Sequence, residues 1–87
     1  MPTIWLPPSM RELTGGETTI RVAGKTVGEA LASLEAIHPG IWNRLSQGDD
    51  LSRSITVIVD GEESEMRLFQ PLQENSEVHL LPAMAGG

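Results

Sequence analysis

The chain has 87 residues, 39% of them hydrophobic and 21% charged, enough to fold as one small domain and too short for two. Twelve acidic against six basic residues leave a net charge of −6, which argues against nucleic acid and against an anionic membrane surface, since both select Lys and Arg. Cysteine is absent, so disulfides, zinc–thiolate sites and a thiol nucleophile are excluded.

In chain order, Thr3–Leu6 reads as a short strand closed by Pro7-Pro8, and Thr14-Gly15-Gly16 as a turn. In Glu17–Val22 the residues Thr18, Ile20 and Val22 alternate with Glu17, Thr19 and Arg21, the period of a half-buried strand that completes a hairpin. Gly24-Lys25 turns the chain. Thr26 with Glu29 three residues on is a capping box, in which the threonine oxygen accepts an orphan amide and the glutamate reaches back to another. Val27, Ala30, Leu31, Leu34 and Ile37 then make one apolar stripe at helical spacing. Pro39-Gly40 stops that helix near His38, and Ile41, Trp42 and Leu45 are spaced for a short extra turn on the core.

Gln47–Arg53 is polar and reads as a loop. Ile55–Val59 is a continuous run of the kind buried on both faces of a sheet, and Asp60-Gly61 after it is a tight-turn signal. Glu65–Phe69 reads as a weaker strand, followed by a loop with Pro71. Glu77–Leu81 is the last strand, with Val78 and Leu80 on one face, and Pro82 ends it. The order strand, strand, helix, strand, strand, strand predicts an α+β β-grasp domain over residues 1–82. Its mixed sheet is crossed by one main helix, with the first and last strands parallel in the middle. Residues 83–87 are left as a flexible Gly-Gly tail.

Little in the chain suits catalysis. There is one lysine, no tyrosine and no cysteine, and an active site needs converging titratable groups. Asp49-Asp50 and Glu62-Glu63-Glu65 read as solvated loop and turn residues rather than acid–base pairs. Thr14-Gly15-Gly16 lacks the ending of a phosphate loop. His38 and His79 lie 41 positions apart with no acidic partner at ligand spacing, so no metal site is expected. His38 suits a helix end and His79 a strand surface, while Trp5, Trp42 and Phe69 read as core or partly exposed packing rather than a base-stacking platform. No apolar run is long enough to span a bilayer, and no export signal is expected. A domain without covalent staples suits the cytoplasm.

The tail is different. Two closing glycines arise by chance in about one sequence in 200, and on the dipeptide alone a frayed end or an engineered scar is as good a reading as a function. Here, however, a strand runs through Pro82 directly into Ala83, Met84, Ala85, Gly86 and Gly87. Five such residues reach at most about 17 Å and are thin enough for a tunnel in another protein. Glycine, lacking Cβ, permits close approach at a reacting carbonyl. The Gly87 carboxylate, with a pKa near 3.5, is a poor electrophile until it is adenylated. In a chain with no thiol, transferable sulfur could be held only as a thiocarboxylate on Gly87, a soft nucleophile suited to donating it.

These residues resemble a known family, the MoaD/ThiS-type ubiquitin-like sulfur carrier proteins. The resemblance rests on Arg11-Glu12-Leu13-Thr14-Gly15-Gly16, on the Gly24-Lys25-Thr26-Val27-Gly28-Glu29-Ala30-Leu31 helix start, and on Pro39-Gly40-Ile41 with Arg44-Leu45. Most specific is the ending Leu81-Pro82-Ala83-Met84-Ala85-Gly86-Gly87. That ending and the Thr-Gly-Gly turn look closest to the carriers of cysteine biosynthesis and their molybdopterin relatives. Asp60-Gly61 stands where relatives often have Asn-Gly, and Glu74-Asn75-Ser76 where many have Asp-Gly-Asp. The resemblance implies a ubiquitin-like β-grasp fold and a carrier that is a substrate, not an enzyme, although it could be the small subunit of a synthase complex. It implies no bound cofactor, ATP being used by the activating enzyme. The implied partners are a ubiquitin-activating-like adenylyl/sulfurtransferase and a sulfur-acceptor synthase: cysteine synthase, molybdopterin synthase large subunit or thiazole synthase. Gly87 would be the adenylated, sulfur-carrying terminus, with Gly86, Ala85, Met84 and Ala83 as its tail and no catalytic residue of its own. Leu81 and Pro82 would border the partner-facing apolar patch. A ubiquitin-like modifier conjugated to lysines, or an interaction module whose tail is incidental, are the alternatives.

Overall fold

The computed structural model describes Met1–Pro82; the predicted tail, residues 83–87, lies outside the described residues. Strands β1 (Thr3–Trp5) and β2 (Thr19–Arg21) are followed by helices α1 (Val27–Ile37) and α2 (Ile41–Leu45). Then come β3 (Ser46–Gln47), β4 (Asp50–Leu51), β5 (Ile55–Val59), β6 (Glu62–Glu63) and β7 (Glu77–Pro82), with 3-10 turns at Pro8–Thr14 and Arg67–Phe69. One mixed sheet runs in the order β2-β1-β7-β5-β6. β1 pairs parallel with β7 and antiparallel with β2, and β7 is antiparallel to β5. This is the arrangement expected from the order of elements, with the first and last strands adjacent and parallel.

The core lies between α1 and one face of this sheet. Val27, Ala30, Leu31 and Leu34 of α1 are buried against Ile4, Ile20, Val57, Val78 and Leu80, and α2 adds Ile41 and Leu45. The start of α1 is fixed as its sequence implies. Thr26 Oγ1 accepts from the Glu29 amide at 3.1 Å, while Glu29 Oε1 accepts from the amide of Lys25 at 2.9 Å, one residue before the cap. Gly24 is obligatory for this entry, since a Cβ there would sit 2.5 Å from the Ala30 amide nitrogen. The Asp60-Gly61 turn has φ of 52° and 89°, both in the left-handed region that a type I′ hairpin needs.

Four expectations are corrected. Ile37 is 55% exposed: the chain turns at His38, and α2 puts Ile41 into the core in its place. Gln47–Arg53 is not simply a loop, because β3 and β4 form a small hairpin across Gly48-Asp49 that carries Leu51 into the core. Ile55–Val59 is buried at alternate positions only, with Thr56 and Ile58 half-buried, since one face of the sheet has no cover. Glu65–Phe69 is not a strand. The Ser64 hydroxyl accepts the Arg67 amide at 3.1 Å, Arg67 takes a φ of 53°, and the segment curls into a 3-10 turn against α1.

Candidate functional site

The site is the end of β7 and the sheet face beside it. Alternation along β7 turns Val78 and Leu80 inward and Glu77, His79 and Leu81 outward. Pro82, the last described residue, stands opposite Ile55, the first of β5, so the described chain ends level with the start of β5. The predicted strand therefore includes Pro82 instead of stopping before it; a proline is tolerated at a strand end. Leu81 is 44% exposed and Pro82 is exposed, as a partner-facing pair requires.

Three residues that sequence reasoning left out of the site share this face. Cross-strand register aligns Trp5 with His79 and His79 with Ile58, two residues along β7 from the Thr56–Leu81 pair and so on the same face. The Trp5 and His79 rings stack at 4.9 Å and 12°, and the Trp5 indole donates to Glu77 Oε1 at 3.1 Å. The result is a flat, partly exposed aromatic surface leading towards Leu81. Strand parity could have found it once β1 and β7 were paired in parallel, because Trp5 and His79 then fall on one side.

The point of departure is braced from below. Arg67 donates to the Ile55 carbonyl at 2.8 Å and to the Ser52 carbonyl at 2.7 Å, which fixes the start of β5 on which Pro82 is registered. Nothing in the sequence marks Arg67 for this role, since it depends on a backbone turn. At the other end of β7, the Asp60 carboxylate accepts from the Ser76 hydroxyl at 2.8 Å and the Glu77 amide at 2.9 Å. Asp60 therefore both makes the turn and pins the strand, and Ser76 is buried there.

The carboxylates weighed as acid–base pairs are all exposed: Asp49, Asp50, Glu62, Glu63 and Glu65. Among the described residues no three His, Asp or Glu side chains are grouped to hold a metal ion. What the arrangement offers is a partly exposed apolar and aromatic face beside the end of β7. Gly87, Gly86, Ala85, Met84 and Ala83 lie outside the described residues.

Comparison with known proteins agrees with this geometry. The ThiS family model matches residues 4–87. The chain is 32% identical to the sulfur carrier protein CysO of Mycobacterium tuberculosis over 90 residues, covering 98% of this chain and 97% of that protein. Its structure superposes with a TM-score of 0.90 on a chain of the Amycolatopsis orientalis BexX/CysO complex, at 34% identity and with the whole of both chains covered. It also superposes on SAMP1 from Haloferax volcanii, with a TM-score of 0.80, 30% identity, and 99% and 98% of the two chains covered.

Proposed function

The chain belongs to the ThiS family, and on that premise we propose that it is a sulfur carrier of cysteine biosynthesis, holding its sulfur as a thiocarboxylate on Gly87. The observation that carries the reading is that the family match extends through the terminal glycine, in a chain whose last strand runs out beside an exposed apolar face.

The chemistry follows from the terminus. The Gly87 carboxylate attacks the α-phosphorus of ATP held by an activating enzyme, and pyrophosphate leaves. Hydrosulfide then attacks the acyl-adenylate carbonyl, and AMP departs with the bonding electron pair, leaving the thiocarboxylate. The chain supplies the acyl group and the docking surface, the partner supplies the catalytic groups, and no cofactor needs to reside on the carrier. The activating partner is a ubiquitin-activating-like adenylyl/sulfurtransferase that reads Leu81, Pro82 and the Trp5–His79 surface. The BexX/CysO complex supports a partner enzyme for a carrier of this fold. The acceptor is a cysteine synthase: the thiocarboxylate sulfur attacks the β-carbon of an activated serine, the serine's leaving group departs, and cysteine is built on Gly87. A domain without covalent staples is in keeping with work in the cytoplasm.

The test is discharge of the loaded protein. With cysteine synthase and activated serine, the chain should gain the mass of one cysteine residue over its native form. With molybdopterin synthase large subunit or thiazole synthase it should keep its sulfur. Discharge by either of those two, and not by cysteine synthase, would overturn the pathway assignment. Stable adducts to lysines of other proteins would instead identify a modifier.

A further inference from the structure

A second surface lies on the helix side of the molecule. Between α1, α2 and the Arg67–Phe69 turn is a cleft of about 330 Å³, lined by Gly28, Leu31, Ala32, Glu35, Trp42 and Leu68. That volume is at the low end of ligand pockets and suits one large side chain. Gly28, Leu31, Ala32 and Glu35 fall on one side of α1 through their spacing of three, four and seven. The lining is apolar except at Glu35, its one charged residue. Glu35 is fixed in place: its Oε1 accepts from the Trp42 amide at 2.8 Å and its Oε2 from the Gly40 amide at 3.0 Å. A carboxylate has about four acceptor sites, so capacity remains for a cation. The same 3-10 segment leaves Met66 53% and Phe69 78% exposed, apolar surface beyond the cleft that a lone small molecule would not cover.

We propose that this cleft is a docking site for a segment of a partner protein that presents an aromatic side chain beside a lysine or arginine. The aromatic ring fills the space between Ala32 and Leu68 and meets the Trp42 indole, an arrangement that aromatic pairs favour. The neighbouring cation reaches the Glu35 carboxylate. The choice of a cationic partner follows from that single charge on the lining and from the −6 of the whole chain. Because the cleft is on the helix layer and Trp5, His79 and Leu81 are on the opposite face of the sheet, a protein held there leaves that outer face open to another enzyme.

The probes are two dipeptides, acetyl-Phe-Arg-amide and acetyl-Phe-Glu-amide, titrated into the full chain while amide chemical shifts are followed. The arginine peptide should give saturable shifts at Gly28, Ala32 and Trp42 and bind on the order of fivefold more tightly than the glutamate peptide, the scale of one exposed ion pair. Ala32→Phe should fill the cleft and abolish the shifts while loading sulfur at the native rate. Glu35→Gln keeps an acceptor oxygen for the two amides and should erase the arginine preference. Absence of saturable shifts, equal affinity for the two peptides, or shifts centred on Trp5 and His79 would each overturn the proposal.

Discussion

Leu80 and Leu81 are neighbours with opposite surroundings: Leu80 is fully buried beneath α1 and Leu81 is 44% exposed on the outer face. Leu80→Ala should therefore cost about 2 to 5 kcal/mol in a denaturant melt, as a buried leucine does. Leu81→Glu should change stability by no more than about 0.5 kcal/mol yet slow sulfur loading, because it puts a charge on the face proposed above as the activating enzyme's docking surface. A Leu81 variant as unstable as the Leu80 variant would show that this face is covered. Thr26→Ala removes the hydroxyl that accepts the Glu29 amide at the start of α1 and should cost about 1 kcal/mol, with loading unchanged while the domain stays folded. Single residues were legible where their chemistry is local: the Thr26 cap, the Asp60-Gly61 turn and the inward Val78 and Leu80. Trp5 and His79 were not read as one surface, because their contact joins strands 72 or more positions apart and exists only after β1 and β7 pair.

At the scale of elements, what could be read was what repeats. The helical stripe gave α1 from Val27 to Ile37, and alternation gave β2 and β7. Glu65–Phe69 failed because its form is set by a left-handed Arg67 whose guanidinium binds the Ser52 carbonyl and that of Ile55 at the start of β5, a tertiary effect with no sequence period. Element junctions also carry the acid sensitivity. Glu35 is held below the ordinary carboxylate value by the Trp42 and Gly40 amides at the start of α2, and Glu74 by the hydrogen bond and charge of the Met1 ammonium. A carboxyl with a lowered folded pKa binds fewer protons folded than unfolded, so its contribution is complete above the unfolded value and is lost as pH falls through the folded one. The urea midpoint should be level down to about pH 5 and decline below the ordinary value near 4.5. Glu35→Gln should make that decline shallower; an identical acid profile would remove Glu35 from the account.

The whole molecule was the most legible level, since the order of its elements already implied a mixed sheet with parallel central strands. The missing part was the outer face, an open side of the sheet that the continuous apolar run at Ile55–Val59 had concealed. Net charge is also a whole-molecule property. At −6 the carrier should associate faster at low salt with an activating enzyme that is basic around its tail channel; an on-rate flat with ionic strength would leave recognition to the apolar face alone. The central claim, that Gly87 is the reacting group, reduces to one atom. Incubated with its activating enzyme, ATP and a sulfur source, the intact chain should gain the mass difference between sulfur and oxygen, and fragmentation should place it on Gly87, since no cysteine exists to hold sulfur. Deleting Gly87 withdraws the carboxylate by about 3.5 Å, and adding a residue moves it past the adenylating site, where displacements of about 1 Å already cost rate. Both variants should fold and fail to load; an extended chain that loads as fast as the native one would contradict the account.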